Sequence, residues 1–159
     1  MDWLAALAEA VQASQLGIWA GESPRAYPLA NLVHILGLVM LVGGIGLVDL
    51  RLAGLFRALP PEALSRALTP VALTGLVLMI GSGTVLFAAD TAVAQSPVFR
   101  WKLLLIAAAL VNAVAFRLLW RRRIGTWAER PPIAGRAMAT LSLMLWLSVG
   151  TCGRMIAYS

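Results

Sequence analysis

Apolar residues fall into four long runs along the chain, separated by shorter stretches that hold most of the charged residues. The stretches without Asp, Glu, Lys or Arg cover residues 26–48, 71–89, 103–116 and 137–153. A hydrocarbon core of about 30 Å needs roughly 20 apolar residues in a helix. The third run reaches this length over residues 101–120 if Lys102 and Arg117 extend their charged ends toward water. The pattern therefore predicts transmembrane helices over residues 28–50, 70–89, 98–120 and 134–157.

The first twenty residues have a different pattern. Apolar side chains recur at helical spacing over residues 2–20 among alanine, glutamine and glutamate, which is moderately amphipathic but too weakly apolar to span a bilayer. The start of the chain also lacks the basic lead of a signal peptide, so we expect it to be retained. The predicted fold is all-α: a single-domain integral membrane four-helix bundle over residues 1–159, with an N-terminal interfacial amphipathic helix.

Composition agrees with a lipid-embedded protein. With 60% hydrophobic and 13% charged residues in 159, the chain carries more apolar surface than a soluble domain of this size buries, so we expect the lipid bilayer to cover the rest. The net charge of +6 is spread over the connections and forms no soluble basic patch, which argues against a nucleic-acid partner. The single cysteine, Cys152, excludes an intrachain disulfide and a cysteine-cluster metal site.

The distribution of basic residues predicts an orientation. Nine of the thirteen lie in or beside the connections after the first and third spans: Arg51, Arg57, Arg66, Arg117, Arg121, Arg122, Arg123, Arg130 and Arg136. The positive-inside rule places these connections in the cytoplasm. The expected location is a bacterial inner membrane, with both termini on the periplasmic or exterior side.

Three ionisable residues on different helices are predicted to share one depth, in the outer leaflet. His34 lies about two turns into the first span, Lys102 about one turn into the third and Arg154 about one turn from the end of the fourth. Ionisable groups within a membrane often mark functional sites, and Asp90 is a candidate counter-charge. Alternatively, the two cations extend to the interface, and the histidine makes one interhelical hydrogen bond.

Two glycines share a face of the first span close to His34. Gly37 and Gly44 are seven residues apart, and His34 lies within about 80° of them around the helix. Such a face admits either a second helix at close approach or a flat ring. A porphyrin held by His34, with Lys102 and Arg154 pairing its propionates, would use the same residues.

The segments around these residues resemble two families of bacterial membrane proteins. Residues 34–37 (HILG), 41–44 (LVGG) and 99–106 (FRWKLLLI), with Asn112, look like the CopD-type copper-resistance proteins. The same layout, with a histidine on one helix and a lysine on a later one, is similar to the HemJ-type protoporphyrinogen oxidases. That resemblance implies a four-helix, haem-associated membrane protein.

These observations lead to three functional hypotheses and leave enzymatic activity open. The first is a haem b protein ligated through His34, acting as a small b-type cytochrome-like electron carrier or in porphyrin handling. No second histidine exists, so bis-histidine ligation would need two protomers. The second is a non-enzymatic oligomeric or accessory membrane subunit without cofactor, and the third is metal or small-solute transport by an oligomer. We therefore expect a homo-oligomer or a larger membrane complex.

Overall fold

The computed structural model describes residues 2–120, 123, 124, 127 and 131–158, which contain helices and no strand. The α-helices are α1 (Asp2–Gln12), α2 (Gln15–Glu22), α3 (Ala26–Ala53), α4 (Pro61–Ala89), α5 (Pro97–Trp120) and α6 (Ile133–Met155). Short 3₁₀ segments occupy Thr91–Gln95 and Ile156–Tyr158. Helices α3 to α6, with 28, 29, 24 and 23 residues, are long and apolar enough to cross a membrane. The prediction of an all-α, multi-pass bundle is confirmed.

Helix α3 is the centre of the bundle. It packs most extensively against α4 and also against α6, which in turn packs against α5. We call the end of the bundle where α3 and α5 begin the terminal end, because α1 and the end of α6 lie on that side. The opposite end is the loop end. At the terminal end α4 and α5 are joined by Phe87 and Phe99, whose rings stack with centroids 5.6 Å apart.

All four long helices contribute to the main core, which lies between the two ends. Its buried members are Leu41, Ala72, Met79, Ala109, Trp146 and Val149. A second cluster at the loop end contains Val48, Leu52, Ile124, Trp127 and Ala139. Trp127 is 6% exposed and packs edge-on against Trp120, with the ring centroids 5.1 Å apart. These two rings therefore serve protein packing.

The N-terminal segment forms two helices where the sequence predicted one over residues 2–20. Ser14 causes the break, because its hydroxyl accepts the amide proton of Gly17 at 3.1 Å and donates to the carbonyl of Val11 at 2.6 Å. Local bonds of this kind compete with the helical ladder. Leu4 and Ala8 of α1 pack against the 3₁₀ segment and the neighbouring phenylalanines, so the hairpin of α1 and α2 covers part of the terminal end.

Helix α4 begins nine residues earlier than the sequence pattern indicated. We placed its start at Pro70, whereas the helix begins at Pro61 and continues through Pro70. Pro61 suits a first helical position, where its missing N–H costs no hydrogen bond, and the exposed pair of Arg66 and Glu62, at 2.8 Å, supports the added turns. The other spans differ from prediction by no more than three residues at either end.

Candidate functional site

His34 is bonded to the neighbouring helix through one ring nitrogen. Its Nδ1 lies 2.9 Å from the Ser82 hydroxyl on α4, and that hydroxyl lies 2.6 Å from the carbonyl oxygen of Leu78. A carbonyl oxygen can only accept a hydrogen bond, so the Ser82 hydroxyl donates its single proton to the carbonyl oxygen of Leu78. The hydroxyl oxygen therefore accepts the N–H of Nδ1. This arrangement assigns the proton of a neutral imidazole to Nδ1 and leaves Nε2 with a free lone pair.

Small residues on α4 make room for this imidazole. Gly75 and Ser82 lie on the buried side of the helix, and Gly83 follows directly after Ser82. At Gly83 a Cβ atom would lie 3.3 Å from Cε1 of His34, which is tighter than an ordinary van der Waals contact. From the sequence alone, Ser82 is a small residue between Gly81 and Gly83, which is typical of a helix contact. Its role as the hydrogen-bond partner of His34 depends on the register between α3 and α4.

Lys102 lies at the terminal end between α5 and α6. The side chain is half-buried, and its Nζ would be 3.3 Å from a Cβ atom placed at Gly153. It is close enough for its charge to interact with both His34 and the thiol of Cys152. Two of the three predicted ionisable residues, His34 and Lys102, therefore interact electrostatically across the bundle.

Arg154 and Asp90, by contrast, are directed elsewhere. The exposed guanidinium of Arg154 donates a 2.6 Å hydrogen bond to the Tyr158 hydroxyl and lies 5.0 Å from the centre of that ring. Asp90 is exposed and accepts the amide proton of Ala92 at 3.2 Å. In the described part of the chain no carboxylate forms an ion pair with Lys102, and its charge acts on His34 without that counter-charge.

The glycines near His34 are covered by α4. A Cβ atom at Gly37 would lie 2.8 Å from the carbonyl oxygen of Gly75, and one at Gly44 would lie 3.0 Å from that of Leu68. This glycine face could contact either a neighbouring helix or a flat ring, and in the structure it contacts a neighbouring helix, α4. A porphyrin ring has no room on the surface of Gly37 and Gly44.

A second polar group, which the sequence analysis missed, lies toward the loop end. Asp49 of α3 is 5% exposed and hydrogen-bonds to Ser142 of α6, which is also 5% exposed. From the sequence alone, Asp49 is the first charged residue after the apolar run of residues 26–48 and indicates the end of the first span. The signal that could have identified the pair is Ser142 itself, because it lies on the buried face of α6 with Gly135, Ala139 and Trp146.

Two further buried polar residues, Asn112 and Arg51, also make hydrogen bonds that the structure shows. Asn112 on α5 donates to the carbonyl oxygen of Met138 on α6 at 3.0 Å, which is a hydrogen bond between the two helices. Arg51, counted from the sequence as a topology signal, is 1% exposed and donates to the carbonyls of Leu59 and Arg57. Of the basic run after α5, Arg121 and Arg122 lie outside the described residues, as does Arg130.

Neither the residues around His34 nor those around Asp49 form a metal site from protein ligands alone. Across the described residues, no group of three or more His, Cys, Asp and Glu side chains could hold a metal ion. His34 could therefore serve a metal only as one ligand of a centre whose other ligands come from a cofactor, a second chain or solvent.

These features define a class: a helical multi-pass membrane bundle with a histidine–serine–lysine layer near one end and a buried carboxyl group near the other. A family model described as a family of unknown function, DUF6644, matches residues 9–159, and the chain belongs to this family. No curated protein and no solved structure matches it.

Proposed function

We propose that this protein is haem-associated and that His34 is an axial ligand of haem b, in a small b-type cytochrome-like electron carrier or a porphyrin-handling protein. The supporting observation is the bond from Nδ1 of His34 to Ser82, which leaves Nε2 unprotonated. Histidines that ligate metals are commonly oriented in this way by a partner on the other ring nitrogen. Haem would supply one-electron chemistry at this position.

The residues fit this cofactor in part. Nε2 of His34 can hold the iron, Ser82 fixes the imidazole, and Lys102 places a positive charge nearby that can attract a propionate. Gly37 and Gly44 do not fit, because α4 covers them, and Arg154 pairs with Tyr158. Haem would therefore be held by His34 and Lys102, and the face of Gly37 and Gly44 would take no part in binding it.

The visible spectrum of the protein, purified in detergent from cells with adequate haem supply, tests this proposal. We expect a Soret band that is absent in His34→Ala. We also expect haem affinity to fall about 10- to 100-fold in Ser82→Ala, because the imidazole loses its orienting partner. Thr84→Ala is the matched control, since Thr84 is exposed on the same helix and bonds only to its own backbone at Gly81. A wild-type protein without a Soret band would refute the proposal, as would a band that His34→Ala leaves unchanged.

A cofactor-free accessory or oligomeric membrane subunit is the second candidate. The close approach of Gly37 and Gly75 supports it, because small residues that let two backbones meet are typical of membrane helix association. This candidate predicts no bound cofactor by mass spectrometry, with His34→Ala as stable and as assembled as the wild type. Bound haem that is lost in His34→Ala without loss of assembly would exclude it.

We further propose that the protein lies in a bacterial inner membrane with the loop end in the cytoplasm, on the strength of the basic residues near that end. Lipid, or a second copy in a homo-oligomer or larger complex, would cover exposed apolar side chains such as Val111 and Leu118, which are 68% and 82% exposed.

Cysteine labelling tests the orientation, because Cys152→Ser removes the single native thiol. In that background we expect Glu22→Cys, at the terminal end, to react with a membrane-impermeant maleimide on intact spheroplasts. We expect Ala58→Cys, in the connection between α3 and α4, to react only after lysis. The reverse pattern would place the loop end outside.

A further inference from the structure

Asp49 is a buried carboxyl group with only one of its two oxygens satisfied. It lies one turn before the end of α3 and is 5% exposed. Its hydrogen-bond partner is Ser142, whereas its Oδ2 is buried and has no hydrogen-bond partner among the residues that the structure describes. Native proteins rarely leave a buried polar atom unpaired, so such an atom calls for a specific explanation.

The surroundings of Asp49 are apolar. The residues beside it on α3 and α6 include Val48, Leu52 and Ala139, which form the buried cluster at the loop end. Fifteen residues, or about 22 Å at the rise of a helix, separate it from His34. Asp49 is therefore independent of the proposed haem ligand.

No cation neutralises this carboxyl group in the part of the chain that the structure describes. On α3 itself, Arg51 is directed to the carbonyls of Leu59 and Arg57. The side chain of Arg136 on α6 is exposed and donates to the carbonyl oxygen of Ala53 at 3.1 Å. The remaining charged groups on the loop-end halves of α4 and α5 are exposed: Glu62, Arg66 and Arg117.

A carboxylate anion in this position would be costly, because an ionised group without a counter-charge or full hydrogen bonding is poorly tolerated in an apolar interior. A bound proton removes the charge and turns one oxygen into a donor. A bound metal ion is a weaker explanation. Hard cations take about six or more oxygen ligands, whereas Asp49 and Ser142 offer two oxygen-bearing side chains.

We propose that Asp49 and Ser142 form a proton-binding site, in which the carboxyl group of Asp49 carries a proton that exchanges with the solution at the loop end. The proton adds to a carboxylate oxygen when it is taken up and leaves to water when it is released. Ser142 donates its hydroxyl proton to the carboxylate and so assists release. The site lies near the exposed connection after α3, because Asp49 is four residues before the end of that helix and six residues before the exposed residues 55–60.

Modification by dicyclohexylcarbodiimide tests this proposal on the full-length protein in detergent. The reagent adds to a protonated carboxyl group in an apolar environment and gives a stable N-acylurea that mass spectrometry assigns to one peptide. We expect Asp49 to be modified in preference to the exposed Glu62 and Asp90. We expect its rate to fall at least about tenfold between about pH 6 and about pH 10, as the proton is lost. Excess sodium at constant pH should leave the rate unchanged.

Two variants separate proton binding from a structural role. Asp49→Asn mimics the protonated group, so it should abolish modification at this position while keeping the thermal midpoint of the wild type. Ser142→Ala should remain reactive to higher pH, because the carboxylate loses the hydroxyl that favours it.

Three results would overturn the proposal, and none depends on how a variant folds. One is an Asp49 that stays unmodified in the folded wild-type protein at every pH. Another is a rate that does not change with pH, which would indicate a proton that never exchanges. The third is protection by sodium at constant pH, which would indicate a cation site.

Discussion

Gly75→Ala is expected to destabilise the bundle by about 3 kcal/mol, at the upper end of the usual cost of overpacking. A Cβ atom at Gly75 would lie 2.6 Å from the carbonyl oxygen of Gly37 and 2.6 Å from the amide nitrogen of Leu41. Both atoms belong to the backbone of α3, so no rotamer change relieves the clash and the two helices must separate. Because α3 packs more extensively against α4 than against any other helix, the loss should be global. Titration with SDS followed by circular dichroism measures it.

Gly81→Ala is the matched control, because Gly81 is on the same helix and a Cβ atom there meets nothing within 4 Å. This variant also replaces glycine by alanine, but the added Cβ atom does not contact α3. We expect it to be neutral or to stabilise the protein by about 0.5–1 kcal/mol, through the better helix propensity of alanine. Equal stability of Gly75→Ala and Gly81→Ala would show that α3 and α4 do not meet at these glycines.

Arg51→Met should lower the free energy of unfolding by about 3 kcal/mol. It should also make the connection between α3 and α4 accessible to proteases. The guanidinium donates to the carbonyls of Leu59 at 2.6 Å and Arg57 at 3.2 Å, and charged donors of this kind contribute about 1.5–3 kcal/mol each. Methionine avoids the cost of burying a charge, but it leaves both carbonyls without a donor. The connection also contains Phe56 in the left-handed region, at φ 49°, a conformation that needs support from its surroundings.

Arg66→Met provides the comparison, since this side chain is 78% exposed and, among the described residues, pairs with Glu62 alone. Exposed pairs contribute less than about 1 kcal/mol, so this variant should unfold and be cleaved like the wild type. Limited proteolysis with mapping of the cleavage sites checks both variants. Wild-type resistance of the connection in Arg51→Met would mean that Arg51 does not hold it.

The two polar layers suggest a division of roles within the bundle. At the terminal end, His34 offers an unprotonated ring nitrogen because Ser82 binds the other one, and Lys102 supplies a positive charge that acts on this group. The layer at the loop end, with Asp49 and Ser142, has the chemistry of a proton acceptor. The spectrum and the carbodiimide reaction address the two layers separately, so one proposal can fail while the other holds.

The amino-acid sequence by itself determined that this is a bundle of four long apolar helices. The signal is strong because each span must satisfy its own backbone hydrogen bonds and cover itself with apolar side chains, and both requirements are local. The sequence pattern did not determine where each helix starts. Pro70 looked like a helix start, but the helix continues through it to Pro61, and Ser14 divides a segment that looked continuous.

Only the tertiary structure decided what the polar residues do. Their depth follows from counting along each helix, which is why His34 and Lys102 were expected at one level. Rotation about the helix axis and the register between helices are set by packing, and these place Ser82 against His34, direct Arg154 to Tyr158 and bury Asp49 and Arg51. A residue near the end of a span can face water or the interior, and the neighbouring helices decide between them.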